Sequence, residues 1–159
     1  MSLLPFFQWM ESLPISHAIQ SAAWYSPIIQ VIHLVALATF AGAVVVVDLR
    51  LMGLGLSRRP LAQVARDAHP WLVGGLVVLL ITGIPQVLSL AMKQYYSPFF
   101  WWKMEGLVVA TIFTFTLRRK VTLTDERRLG PLWGKVVGLV SMTLWTGVTV
   151  GARLIGLLS

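Results

Sequence analysis

The sequence predicts an all-α integral membrane protein: a four-helix bundle in one domain, with a short N-terminal interfacial helix. Of its 159 residues, 57% are hydrophobic and only 12% are charged, and the mean hydropathy is +0.77. Soluble domains carry about 25% charged residues. Four apolar runs are each about 20 residues long, which is enough to cross a hydrocarbon core about 30 Å thick as a helix. We place them at residues 27–47, 70–91, 100–117 and 135–157.

A soluble helical bundle does not explain this pattern. The segments between the runs carry nearly all the charge, whereas the runs carry almost none. Helices at the surface of a soluble bundle would show a polar face. The lipid bilayer is therefore the expected partner of these four segments.

The segment before the first span is predicted to lie on the membrane surface. A short helix starting at Ser12 and Pro14 and ending near Ala23 is too short and too polar to cross. The aromatic residues of this segment suit the membrane interface. They are Phe6, Phe7, Trp9, Trp24 and Tyr25.

The first span begins at Pro27, contains His33 and ends at Asp48, which we expect to pair with Arg50. After it, SRRPLAQVARDA predicts a short amphipathic surface helix with Ser57 as its N-cap.

His69 is then expected to start the second span. In that span Pro85 removes one backbone hydrogen bond and should cause a kink next to Gln86.

The segment MKQYYSPFFWWK before the third span mixes aromatic residues with lysines and is typical of a second interface belt. The last span contains two pairs of glycines four residues apart, which allow close helix packing within the bundle or in a dimer. The pairs are Gly134 with Gly138, and Gly147 with Gly151.

The basic residues predict the orientation. The segments after the first and third spans hold ten of the 13 lysines and arginines. By the positive-inside rule both segments are cytoplasmic, so the N- and C-termini are periplasmic in a bacterial inner membrane. Because this topology explains the net charge of +7, nucleic acid is not an expected partner. The ten are Arg50, Arg58, Arg59, Arg66, Arg118, Arg119, Lys120, Arg127, Arg128 and Lys135.

His33 is the first candidate functional residue, because an ionisable or metal-binding side chain is costly inside a bilayer. A rise of about 1.5 Å per residue puts it roughly 9 Å into the outer leaflet, about 20 Å from His69 in depth. The two histidines are therefore not expected to bind one haem iron together. The residues expected near the depth of His33 are His17, Gln86, Lys103, Met104, Glu105 and Arg153.

These residue types suit haem iron or copper. His33 and His17 are the candidate metal ligands, and an imidazole pair or an imidazole with the Met104 thioether suits either metal. Lys103 and Arg153 could bind haem propionates or a quinone carbonyl, or could anchor the helices at the interface.

Simpler alternatives stay open. His33 could hydrogen-bond a threonine or carbonyl of a neighbouring helix, His17 could be a solvated surface residue, and Met104 could fill the core.

Some chemistries are excluded. With no cysteine in the chain there are no disulfides, thiolate metal sites or covalently attached haem. No nucleophile with a neighbouring base is visible. The sequence therefore favours a redox carrier or a subunit over a stand-alone enzyme.

Three segments resemble known membrane proteins. They are HLVALATFAGAVVVVDLRLMG from His33 to Gly53, HPWLVGGLVVLLITG, and SPFFWWKMEGLVV. Together they are similar to an uncharacterised family of small bacterial four-helix membrane proteins, a domain of unknown function. They are more distantly similar to copper resistance protein D and to the HemJ-type haem protein of porphyrin biosynthesis.

The resemblance implies a bundle that binds b-type haem, or handles copper, near His33. Lys103 matches a lysine that HemJ-type proteins carry at the start of a helix. Those proteins have a further histidine at the end of that helix, where this chain reads TFTLRRK. The resemblance therefore does not extend to porphyrinogen oxidation.

Three functions follow as hypotheses. The first is a b-type haem protein that passes electrons between quinone and a periplasmic partner. The second is a copper-handling protein that uses His17, His33 and nearby methionines. The third is a non-catalytic subunit of a larger membrane complex or homo-oligomer.

Overall fold

The computed structural model describes residues 3–56, 58–124, 128 and 130–158. The predicted N-cap at Ser57 and the basic residue Arg127 lie outside the described residues. Helices, and no strands, make up the regular structure of the described part. The elements are α1 (Leu4–Glu11), α2 (Pro14–Ser21), α3 (Tyr25–Met52), α4 (Leu61–Ser89), α5 (Ala91–Tyr96), α6 (Pro98–Phe113), a π-helical turn (Thr114–Arg118), α7 (Arg119–Leu123) and α8 (Pro131–Leu158).

Among the described residues, three helical stretches are long and apolar enough to cross a membrane: Tyr25–Met52, Leu61–Ser89 and Leu132–Leu154. They correspond to the first, second and fourth predicted spans. The third predicted span falls on α6 and the π-helical turn. The helical path there continues into α7 without a break, since the backbone stays in the right-handed helical region at Thr114 and Arg119.

The amphipathic segment and the second span are one helix. α4 begins at Leu61, so the prediction that the helix starts at His69 was wrong. The stripe of buried residues passes Pro70 in steps of three or four residues, and packing along it outweighs the one backbone hydrogen bond that proline removes. The buried residues of the stripe are Leu61, Val64, Ala68, Leu72 and Leu76.

The N-terminal segment forms two short helices. α2 begins at Pro14 as predicted and ends at Ser21, close to the predicted end. α1 was not predicted; it forms because Phe7 is buried in a cluster of rings contributed by α5 and α6. The rings of Tyr95, Phe100 and Trp101 lie 5.2, 6.1 and 5.9 Å from that of Phe7. We call this end of the molecule the aromatic end.

The four longest helices, α3, α4, α6 and α8, each contact only some of the others. α3 packs against both α4 and α8, α6 packs against α8, and α4 meets the α6 segment mainly through α7. Glycines allow the close approaches: a Cβ at Gly75 would lie 2.9 Å from Phe40 Cβ, and one at Gly138 would lie 3.0 Å from the Asp48 carbonyl oxygen. The first glycine pair of α8 is therefore used inside the bundle. The opposite end, with α7 and the residues between α3 and α4, is the basic end.

Candidate functional site

His33 is half-buried on α3 and hydrogen-bonded to α4. Its Nδ1 lies 2.7 Å from Thr82 Oγ1, which in turn lies 2.6 Å from the carbonyl oxygen of Val78. A carbonyl can only accept, so the Thr82 hydroxyl donates its hydrogen to Val78 and accepts one from His33 Nδ1. In the neutral imidazole the other nitrogen, Nε2, then carries the free lone pair.

The neighbours of Thr82 hold this arrangement in place. A Cβ at Gly83 would lie 3.8 Å from His33 Cε1, so the glycine leaves the imidazole space beside α4. Gln86 Nε2 donates to the Thr82 carbonyl over 3.2 Å, and Gln94 Nε2 donates to the Gln86 carbonyl over 3.0 Å. The polar chain thus runs from His33 to the aromatic end, and Gln86 acts on the backbone that carries Thr82.

Lys103 on α6 lies at the same level of the bundle as His33, and its backbone contacts α8. It is half-buried on α6 and close enough to His33 for an electrostatic interaction. Its backbone packs against α8, since a Cβ at Gly151 would lie 3.8 Å from Lys103 Cβ. All four long helices therefore contribute to this level, at which the depth estimate had placed Lys103. We call His33, Thr82, Gln86 and Lys103 the His33 cluster.

The other candidate residues point elsewhere. His17, Met104, Glu105 and Arg153 are all exposed. On α2, the inward-facing residue is Ser16, which is fully buried and donates from Oγ to the Leu88 carbonyl over 2.6 Å. His17 follows it on the outer face, and no contact between His17 and His33 is found in the described part of the chain.

His69 lies at the far end of α4 from Thr82, 13 residues away, which is about 20 Å along a helix. Its ring lies 6.4 Å from that of Phe115 in an edge-to-face arrangement. The described residues contain no group of three or more histidine, aspartate or glutamate side chains that could hold a metal ion. No contact of His33 with another histidine is found among the described residues.

A second polar cluster lies at the basic end and was not predicted. Asp48 is fully buried and Arg118 is 4% exposed, and Arg118 Nε donates to Asp48 Oδ1 over 2.7 Å. Arg118 Nη2 also donates to the Val44 carbonyl over 3.0 Å. The expected pairing of Asp48 with Arg50 was wrong: Arg50 Nε instead donates to the Arg59 carbonyl over 2.9 Å.

Arg118 was not predicted as a buried residue, and the helical path around it explains why. It looked like a loop residue because the third apolar run ends at Leu117, but the helical path continues and turns its side chain inward through the π-helical turn. Such turns insert one residue into a helix and often mark functional positions. The signal in the sequence was Asp48 itself, since a carboxylate at that depth needs a cationic partner.

Ser141 on α8 completes this second cluster. It is fully buried beside the Asp48 carboxylate, but neither its Oγ nor Asp48 Oδ2 makes a hydrogen bond of ordinary geometry to the described residues. We call Asp48, Arg118 and Ser141 the Asp48 cluster.

Comparison with known proteins identifies a family. A family of unknown function, DUF6644, matches residues 6–158, which is nearly the whole chain. The chain belongs to this family. No curated protein and no solved structure matches it. The predicted resemblance to an uncharacterised family is confirmed, while the more distant similarities stay predictions.

Proposed function

We propose that this protein binds one b-type haem at the aromatic end of a four-helix membrane bundle, and that His33 would hold the haem iron through Nε2. The observation that carries the proposal is the hydrogen-bond chain from His33 Nδ1 through Thr82 to the Val78 carbonyl. Metal-bound histidines usually donate the hydrogen of their other ring nitrogen to a protein group, which fixes the tautomer and the ring orientation.

A purely structural role for His33 explains the hydrogen bond of Nδ1 but gives Nε2 no function. Nε2 has no hydrogen-bond partner among the described residues, and His33 is half-buried in an apolar helix. An unpaired polar atom away from water costs about 1–3 kcal/mol. A metal ion would use this lone pair, which favours the ligand role over the purely structural one.

The available ligands suit haem better than copper. The porphyrin supplies four nitrogens to its iron, so the protein needs to add only one or two ligands. A copper site takes all its ligands from the protein, and the other candidates, His17 and Met104, lie on exposed faces. When bound, the haem supplies one-electron redox chemistry.

The remaining residues of the His33 cluster fit the same proposal. Lys103 is the residue we expect to pair with a haem propionate. It comes from α6, on the neighbouring side of the bundle, and lies close enough to His33 for an electrostatic interaction. α4 meets the α6 segment mainly through α7 at the basic end, so few contacts join α4 and α6 at the level of His33. Gln86 holds Thr82 by its backbone.

In this proposal the helical path from Pro98 to Leu123 also crosses the membrane, as the third of four spans, and the aromatic end faces the periplasm of a bacterial inner membrane. The haem would then pass electrons between a quinone and a periplasmic partner. A place as subunit of a larger complex or as a homo-oligomer is compatible with this role.

The test is an absorption spectrum of the full-length protein, expressed with added haem precursor and purified in detergent. We expect a Soret band and one haem per chain by pyridine haemochrome assay. His33→Ala should reduce the bound haem to background. His69→Ala is the matched control, because it removes an imidazole from the other end of α4 and should keep the haem.

A wild-type protein that contains no haem under these conditions would refute the proposal, as would a spectrum unchanged by His33→Ala. Metal analysis of the same sample separates the copper alternative. Copper bound at one ion per chain, and lost in His33→Ala, would assign the site to copper handling instead.

A further inference from the structure

A cavity of about 270 Å³ lies at the basic end, between α4 and the segment formed by the π-helical turn and α7. It is separate from the His33 cluster, since His69 forms part of its wall and Thr82 lies about 20 Å away along α4. Its polar lining consists of Arg66, His69, Thr114, Arg118, Arg119 and Thr122. Among the described residues, three arginines and one histidine thus line this cavity, and no carboxylate does.

The charges do not cancel inside this cavity. Asp48 offsets the charge of Arg118, because Arg118 Nε lies 2.7 Å from the Asp48 carboxylate. Arg66 and Arg119 are exposed and have no carboxylate within ion-pair distance among the described residues. The neighbouring Asp67 faces Arg59 at 3.9 Å. Within the described part of the chain, no carboxylate therefore offsets Arg66 and Arg119, the two exposed cations that line the cavity.

Arg118 adds a directed donor. Its guanidinium is nine-tenths or more buried, and its Nε and Nη2 are held by Asp48 and the Val44 carbonyl. Nη1 has no partner in the described part of the chain. The guanidinium is thus fixed by its contacts in the bundle, and Arg118 forms part of the cavity wall. A fixed guanidinium binds an oxyanion with little loss of side-chain entropy.

We propose that this cavity binds a phosphate group, with Arg66 and Arg119 supplying the charge and Arg118 a fixed donor. Arginine matches the planar oxygen pairs of phosphate, and hydroxyls such as that of Thr122 commonly contribute at such sites. Apolar residues line the same cavity, among them Leu72, Val47 and Leu123, so an ester carrying an acyl chain could also be accommodated. The phosphate could belong to an anionic lipid headgroup or to a free phosphate compound.

The experiment uses the full-length protein in a neutral detergent and two probes. Native mass spectrometry measures binding of phosphatidylglycerol against phosphatidylcholine with the same acyl chains. Inorganic phosphate is added in a second arm, as a competitor and as a ligand in thermal unfolding. We expect phosphatidylglycerol to bind preferentially, and Arg66→Gln with Arg119→Gln to weaken that binding about 20-fold.

The matched control is Lys120→Gln with Lys135→Gln. It removes two exposed cations from the same end of the molecule, but neither lines the cavity. If anionic lipid binds only through the general positive charge of this end, both double variants lose affinity equally, and the proposal is overturned. Failure of both probes to bind also overturns it.

Competition separates the two sources. Stabilisation by inorganic phosphate, lost in the Arg66 and Arg119 variant and kept in the lysine variant, supports a free phosphate compound. Lipid binding that phosphate does not displace supports a lipid headgroup. Neither result depends on haem, so the proposal stands or fails separately from the proposed function.

Discussion

The His33 and Asp48 clusters solve the same problem in different ways. Both place a polar side chain of α3 inside an apolar bundle, 15 residues and about 22 Å apart along the helix. Asp48 is fully buried and its charge is matched by Arg118. His33 is half-buried, uses one ring nitrogen in a neutral hydrogen bond and leaves the other free. The Asp48 cluster is therefore closed by its own protein partners, whereas the His33 cluster can accept a ligand.

The largest expected effect comes from removing Arg118, the cationic partner of Asp48. Arg118→Met leaves the buried Asp48 carboxylate without its counter-charge, and removing one partner of a buried pair costs about 3–5 kcal/mol. We expect the free energy of unfolding in detergent to fall by that amount. Lys120→Met, an exposed change two residues later, should leave it nearly unchanged.

The double variant with Asp48→Leu and Arg118→Met checks the cause. Replacing a whole buried pair by apolar residues is often neutral or stabilising. The double variant should therefore recover most of the stability lost in Arg118→Met. If it is as unstable as the single variant, packing rather than charge holds this cluster together.

A smaller effect is expected from Thr82→Val, which keeps the shape of the side chain but removes the hydroxyl that holds His33. Loss of such an outer partner typically lowers metal affinity 10–100-fold. We expect haem affinity, measured by titration into the haem-free protein, to fall within that range. The matched control is Thr143→Val, because Thr143 also donates to the carbonyl four residues earlier but is exposed. Equal affinities in the two variants would show that the hydrogen bond does not orient the ligand.

The sequence predicted the helices better than their ends. Apolar runs locate the core of each span because bilayer thickness sets their length. The start of α4 was wrong because proline was given more weight than the buried stripe that continues through Pro70. α1 depends on packing of Phe7 against rings about 90 residues later, and such a long-range contact leaves no local pattern.

The candidate site was predicted only in part, for a geometric reason. Depth arithmetic selects residues at one level, and in the structure Gln86 donates to the Thr82 carbonyl while Lys103 lies near His33. It gives no information on which way a side chain faces, so exposed Met104 and Arg153 were included, and the threonine expected as one possible partner of His33 was not identified as Thr82. The same limit explains Arg118, whose inward direction depends on the π-helical turn.

The smallest expected effect tests whether a residue at the depth of His33 must also face His33 to affect haem binding. Met104 lies next to Lys103 in sequence but is 37% exposed, on a face of α6 away from His33. Exposed changes away from packed features shift free energies by about 0.5 kcal/mol or less, so Met104→Leu should change haem affinity by less than about threefold. The spectrum of the reduced protein should also stay the same. A thioether on the iron gives a spectrum distinct from that of an imidazole pair, so a shift in Met104→Leu would make Met104 the second ligand. The face of α6 that carries it would then have to turn inward when haem binds, and the contrast between an open His33 cluster and its exposed neighbours would no longer hold.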